Sequence, residues 1–226
     1  METYTLPSFP SGYSTIHLCY FQNVRNSPEI KQRLVVAATT KGEQGEKLRS
    51  EVDFGFLEGD VLVSKDHLLT SILTTLLYSF PSTSASSSNA IPSIEPLSIS
   101  HTNTPNKPKT RTHNLHSEIL LTLSPNNNIT DSIRRHGISD STTNLVVVKF
   151  TNAQQSQESV YESLKRVVDG ELVGLDGIEE NTDWTRVDKI YKLSELNALK
   201  SSHTPEDIFN KKKSAVISAV GIKNVI

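Results

Sequence analysis

The residues best suited to chemistry form short groups, and the first combines the three residue types of a hydrolase triad. Ser64, Asp66 and His67 fall within four consecutive positions, where a long apolar helix is predicted to begin. A catalytic triad needs side chains that converge on one reacting atom, and neighbours at a helix start rarely do so. Capping by Ser64 and interaction of Asp66 with the helix dipole explain the group better.

Three histidines form a second group, because His113, His116 and His136 could approach one another around a predicted strand. Three imidazoles could hold a metal ion, but no acidic residue is spaced to assist them and Cys19 is the only cysteine. The glycine-rich segment at 170–177 lacks the lysine and serine of a phosphate-binding loop. We therefore predict no catalytic residue, no metal site and no cofactor.

Apolar side chains near the C-terminus suit partner binding better than chemistry. Val216, Ile217 and Val220 share one side of a helix predicted over Ser214 to Ile226. This side either packs on the chain's own core or forms a partner surface, and the sequence leaves both open. Ile133 and Ile138, from a shorter predicted helix, are the second apolar candidate for partner contact.

Basic residues form the other binding feature. Arg111 lies beside a predicted strand, and Lys211, Lys212 and Lys213 precede the predicted C-terminal helix. Runs of this kind are usually a solvated face, and their alternative role is contact with RNA phosphates. No aromatic side chains are interleaved with them to stack on bases. A formal net charge of −2 argues against a chain whose main role is coating nucleic acid.

The whole-chain composition indicates one packed domain with an appendage. The 226 residues can bury a full core, yet only 35% of them are hydrophobic. The N-terminus has no basic start followed by an apolar core, and no run approaches membrane-spanning length. We expect a protein of the nucleus and cytoplasm that does not contact membranes.

The predicted elements indicate an α/β fold, with a mixed sheet of about four strands flanked by helices, in a single domain over residues 1–226. Its centre is a strand at Ile119–Leu123, a helix between Asn128 and Gly137, and a strand at Leu145–Val148. The other predicted segments are a strand at Ile16–Phe21, a helix at Ser27–Thr39, a loop at Lys41–Arg49, a strand at Val52–Phe56, a helix at Lys65–Ser79, a helix at Val160–Val168, an extended piece at Leu172–Leu175 and a helix from Asp183.

The segment from Ser79 to Pro108 differs in composition from the rest of the chain. Half of the ten prolines lie here, among many serines and threonines and only two charged residues. Such a segment buries too little apolar surface to offset the entropy lost on ordering. We predict a disordered insertion at 80–108.

A set of positions outside this insertion keeps the order and spacing of one small family. These positions are Phe21, Val24, Asn26, Glu29-Ile30, Arg111, Asn114, Glu118, Leu120-Leu121, Ser124-Pro125, Asn128-Ile129, Gly137-Ile138, Val146–Lys149 and Lys189–Leu193. The chain therefore resembles the kinase-binding subunit of the KEOPS (EKC) complex, known in animals as the PRPK-binding protein, as a fungal-like member with an inserted loop. It departs from the usual family residues at Ser132, where alanine is usual, and at His136, where phenylalanine is usual.

The resemblance implies a non-catalytic subunit that binds and supports the small atypical kinase of KEOPS, the complex that installs threonylcarbamoyl on adenosine in certain tRNAs. Other KEOPS subunits are then indirect partners, and tRNA is a further candidate partner. On this interpretation, the kinase-binding residues are Val216, Ile217, Val220, Ile133 and Ile138, and the tRNA-binding residues are Arg111, Lys211, Lys212 and Lys213. The alternatives are a stand-alone RNA-binding module and an enzyme whose site the sequence does not reveal.

The predicted insertion should be dispensable for folding and for kinase binding. Replacing it with a short glycine–serine linker is expected to leave the melting temperature nearly unchanged, because halving a loop changes its closure free energy by only about 0.6 kcal/mol. Thermal denaturation followed by circular dichroism measures the first effect, and titration with the kinase measures the second. A cooperative loss of the fold would place the segment in the core.

Overall fold

The structure, a computed structural model, describes residues 1–81, 107–197 and 204–223. Within these residues, five strands form one antiparallel sheet in the order β1-β2-β4-β3, with β5 pairing along the remainder of β2. The strands are β1 (Glu2–Thr5), β2 (Thr15–Gln22), β3 (Gly55–Glu58), β4 (Leu145–Thr151) and β5 (Glu171–Val173). The predicted α/β class and single domain are confirmed, and β1 is a strand that the sequence pattern missed.

Helices cover both faces of this sheet. They are α1 (Ser27–Thr39), α2 (Gly42–Glu51), α3 (Lys65–Ser79), α4 (Leu115–Leu123), α5 (Ile129–His136), α6 (Gln157–Lys165), α7 (Trp184–Tyr191), α8 (Ser194–Asn197) and α9 (Pro205–Gly221). In the part of the chain that the structure describes, no helix combines the length and apolar character needed to cross a membrane.

Strand β4 separates the two sides of the core. It pairs with β2 along one edge and with β3 along the other, and its successive side chains point to opposite faces of the sheet. Val146 and Val148 pack in a cluster with residues of α3 and α4, whereas Leu145 and Val147 pack in a cluster with residues of α1 and α6. A strand buried on both faces has a continuous apolar run, and this run is what predicted it.

The predicted strand at Ile119–Leu123 is wrong, because this run is the second half of α4. The Asn114 side chain caps the helix by accepting a hydrogen bond at 2.8 Å from the backbone N–H three residues later. Leu115, Ile119 and Leu123 then lie one turn apart on the buried face. A five-residue apolar run does not distinguish a buried helix from a buried strand. The local order is therefore helix, helix, strand.

The predicted loop at Lys41–Arg49 is also wrong, because these residues form most of α2. Two glycines in this segment favoured the prediction of a loop, but the fold of α2 requires glycine at both positions. Gly42 adopts a φ of +70°, which favours glycine. A Cβ at Gly45 would lie 2.1 Å from the carbonyl oxygen of Thr40, so only glycine permits this close contact with the end of α1. The predicted strand at Val52–Phe56 lies two to three residues later, as β3.

The ends of the predicted insertion belong to the packed domain. The backbone N–H of Lys109 donates to the carbonyl oxygen of Ser79 at 2.9 Å. Phe80 packs against Tyr13, with ring centroids 5.1 Å apart. The two chain ends therefore meet between α3 and α4. Residues 82–106 lie outside the described residues, and the prediction of disorder falls on them.

A buried histidine at the end of α5 has no hydrogen-bond partner. His136 is fully enclosed, and both of its ring nitrogens lack a partner. Its ring lies 6.3 Å from that of Tyr191, measured between centroids. Burial lowers the pKa of His136 to about 3, assisted by His67 and by nearby cationic side chains of Arg135, Lys223 and Arg186. The imidazole is therefore neutral in the folded protein.

Replacing His136 with phenylalanine, the residue usual in the resembling family, should stabilise the protein. A buried polar group without a partner costs about 1–3 kcal/mol, so we expect His136→Phe to raise the free energy of unfolding by about 1 kcal/mol in urea denaturation. His113→Phe, at an exposed position in the loop before α4, is the matched control. A destabilised His136→Phe variant would show that the larger ring does not fit.

The same variant should show a weaker dependence of stability on pH. An unfolded histidine binds a proton below about pH 6.5, whereas folded His136 stays neutral down to about pH 3. The unfolded state therefore binds more protons in this interval, and stability falls as the pH falls. Between about pH 7 and pH 5, His136→Phe should lose less stability than the wild type. Equal losses would show that His136 does not contribute.

Candidate functional site

Helix α9 packs on the outside of α3 and α7 and completes the domain. Its buried residues lie at every fourth position, so one face turns inward along its length. These residues are Ile208, Lys212, Val216 and Val220. Val216 packs with Val63, which precedes α3, and with Val187 of α7. A capping box between Thr204 and Asp207 fixes the start of the helix.

The predicted apolar partner residues separate into two groups. Val216 and Val220 are almost completely buried within the chain's own core, which is one of the two interpretations that the sequence left open. Ile138 is buried in the core on the opposite face of the sheet. Ile217 is only partly buried, and Ile133 is exposed. Kinase contact through these residues stays a prediction, but only the last two have side-chain surface available for it.

The three C-terminal lysines lie within α9. The prediction that they precede the C-terminal helix is therefore wrong. Lys212 is buried, and its ammonium group lies 2.6 Å from the carboxylate of Asp188 on α7. Lys213 pairs with Glu179. Basic runs are usually solvated, and Lys212 is an exception to this. The helix begins earlier than predicted because Thr204 and Pro205 provide a cap and a first-turn proline.

Arg111 is tied to the fold through Glu118, a nearly buried carboxylate in the first turn of α4. Its guanidinium Nε lies 3.1 Å from the Glu118 carboxylate. The same carboxylate accepts hydrogen bonds from the backbone N–H of Arg111 and from the backbone N–H and hydroxyl of Thr112. This arrangement holds the chain as it returns from residues 82–106. Contact of Arg111 with tRNA stays a prediction.

A hydrophobic surface lies beside the contact between α3 and α9. At the position of Gly221, an added Cβ would lie 3.6 Å from the methyl group of Thr70, so the end of α9 crosses α3 there. Leu73 and Leu77 follow Thr70 along α3 and are 38% and 61% exposed, and Ile222 at the end of α9 is 50% exposed. We call Leu73, Leu77 and Ile222 the α3–α9 surface.

The C-terminal end of α4 has side-chain hydrogen bonds from α7 and from the end of α9. The hydroxyl of Tyr191 donates to the carbonyl oxygen of Leu123 at 2.6 Å and contacts Nε2 of His67 at 3.1 Å. Because the backbone N–H of Val63 donates to His67 Nδ1, the proton of the neutral ring lies on Nε2. Burial lowers the pKa of His67 to about 3 and raises that of Tyr191. This series of hydrogen bonds has a structural role, since it ends on a backbone carbonyl.

The three histidines considered as metal ligands do not form a site. His113 is exposed, His116 stacks on Phe150, and His136 lies near Tyr191. No group of three potential ligands is found among the residues that the structure describes. Ser64 caps α3 by accepting from the backbone N–H of His67 at 3.1 Å, as predicted.

The comparison with protein families matches nearly the whole chain. The family model of the kinase-binding protein CGI-121 covers residues 21–224, which include most of the sheet and all of α9. The chain belongs to the CGI-121 family. The resemblance recognised in the sequence is thereby confirmed.

Members of the CGI-121 family from several fungi are similar along their full or nearly full length. The protein of Cryptococcus neoformans, named EKC/KEOPS complex subunit CGI121, is 58% identical over 233 aligned residues, which cover 100% of both chains. The relative of the same name from Gibberella zeae is 30% identical, over 100% of this chain and 99% of its own. That from Candida albicans is 30% identical, over 86% of each chain.

Reversal of the buried charge at Lys212 should destabilise the fold. Lys212→Glu places a second carboxylate beside Asp188 in a mostly buried position, so it is expected to lower the free energy of unfolding by about 3 kcal/mol. Lys189→Glu, at an exposed position on α7, should change it by less than about 0.5 kcal/mol. Urea denaturation of the two variants measures the difference. Equally small effects would mean that the pair with Asp188 contributes little.

Proposed function

We propose that this protein is a non-catalytic subunit of a KEOPS (EKC) complex that binds and supports the complex's small atypical protein kinase. It thereby takes part in threonylcarbamoyladenosine modification of tRNA, in the nucleus and cytoplasm. Two findings support the proposal. The family is described as a kinase-binding protein, and similar fungal proteins are named as subunits of the EKC/KEOPS complex.

The observation that carries the proposed contact is the α3–α9 surface. Its three side chains are apolar and exposed, and they lie on two packed helices. Leu73 and Leu77 are one helical turn apart, about 6 Å along the axis, so both can contact one partner element. Exposed groups of apolar side chains mark interaction sites, and their burial by a partner stabilises the complex. We therefore propose that the kinase covers this surface.

The lysines of α9 support the kinase as the main partner rather than RNA. Lys212 and Lys213 already pair with Asp188 and Glu179 within the domain. Contact with RNA phosphates would have to compete with these ion pairs. Direct tRNA binding therefore remains a separate hypothesis, which a salt-dependent gel shift of the isolated protein tests.

Charged substitutions on the α3–α9 surface should weaken kinase binding. We expect Leu73→Asp/Leu77→Asp to raise the Kd for the KEOPS kinase by more than about tenfold, because each carboxylate would be desolvated in the complex. Isothermal titration calorimetry with the purified kinase measures this. Both leucines are exposed, so the far-ultraviolet circular dichroism spectrum and melting temperature should stay near those of the wild type.

The matched control places the same charges on the other side of the sheet. Val35 and Val36 of α1 are 56% and 42% exposed, and Val35→Asp/Val36→Asp should leave the Kd unchanged. An equal Kd for the two double variants would move the contact away from α3 and α9. Absence of any binding by the wild-type protein would overturn the proposed function itself.

A further inference from the structure

Helix α4 ends without the usual means of satisfying its last backbone carbonyls. Ser124 follows its last residue in an extended conformation, and Pro125 comes next. No glycine provides the left-handed turn that commonly closes a helix. The final carbonyl groups of a helix therefore need other donors, and they carry a partial negative charge from the helix dipole.

Lys223 provides these donors from the opposite end of the chain. Its ammonium group donates to the carbonyl oxygens of Ser124 at 2.5 Å and Asn126 at 2.8 Å, and also to that of Leu121. These partners are about one hundred residues away in sequence. A lysine ammonium has three protons, and each of them has an acceptor here. The contact therefore fixes one point of the chain directly after α9 against the end of α4.

This point is adjacent to the α3–α9 surface. Lys223 follows Ile222, and the backbone N–H of Ile222 donates to Ser218 at 3.0 Å, so the helical turn continues to this position. Ile222 is the C-cap residue of α9, at the end where helices fray, so the contact of Lys223 with α4 restrains the position of Ile222. Leu73 and Leu77 need no such help, because they lie within α3.

We propose that Lys223 is a positioning residue for kinase binding, which holds the end of α9 on α4 and so presents Ile222 next to Leu73 and Leu77. The proposal rests on the proposed function for its partner, whereas the contact itself belongs to this chain alone. Lys223 does not need to touch the kinase. Its effect on binding comes from the position in which it holds Ile222.

The test compares Lys223→Met, which keeps the aliphatic length and removes the charge, with Lys223→Arg, which keeps the charge. Amide hydrogen exchange is measured first on the protein without a partner. Lys223→Met removes three charge-assisted hydrogen bonds, and the loss of even one of them corresponds to exchange of the last turn of α9 that is roughly tenfold faster or more. Exchange in β2 and β4 should be unchanged, and Lys223→Arg should restore most of the protection.

Kinase affinity is the second measurement. Lys223→Met should raise the Kd by several-fold to about tenfold, with Lys223→Arg close to wild type and Lys189→Met, at an exposed position on α7, as the matched control. Faster exchange with unchanged affinity would overturn the role in binding, and unchanged exchange would overturn the positioning contact. If the wild-type protein does not bind the kinase, the proposed function fails and the role of Lys223 in binding fails with it, while the exchange result still decides whether Lys223 holds the end of α9.

Discussion

The burial of β4 on both of its faces is the constraint on which the arrangement of the domain depends. Val146 and Val148 need one apolar layer, Leu145 and Val147 need another, and a five-stranded sheet alone supplies neither. Helices α3 and α4 form the first layer, and α1 and α6 contribute to the second. Each face of a sheet must be covered by another element to form a core. Helix α9 then packs outside the first layer, on α3 and α7.

Polar contacts add to the apolar packing that joins the outer helices α7 and α9 to the core. Tyr191 and Lys223 donate to the backbone at the end of α4, and Lys212 pairs with Asp188 between α9 and α7. Directional contacts of this kind specify one orientation, whereas apolar packing tolerates small rotations. This combination of apolar and polar contacts suits a binding protein, because α9 has a defined position while its outer side remains available to a partner.

The sequence predicted those elements whose signals are local. The starts of α3 and α7 follow from Ser64 and Asp183 at the caps, that of α1 follows from a proline in its first turn, and β4 follows from its apolar run. The errors arose where tertiary contacts determine the secondary structure. Ile119–Leu123 is helical because Leu115, Ile119 and Leu123 enter the same apolar cluster as Val146 and Val148 at helical spacing. Helix α2 depends on a close approach that only Gly45 allows. The candidate surface was placed on Val216 and Val220 because an amphipathic pattern does not tell which side of a helix is covered.

The hydrogen bond between Ser79 and Lys109 has a consequence for where the chain can accept an insertion. It closes the base of residues 82–106, so the distance between the two anchoring ends is set by the domain and not by what lies between them. The free energy of closing such a stretch depends only logarithmically on its length. The junction between Ser79 and Lys109 is therefore a suitable place to insert a reporter domain or an affinity tag, because its two ends are already adjacent.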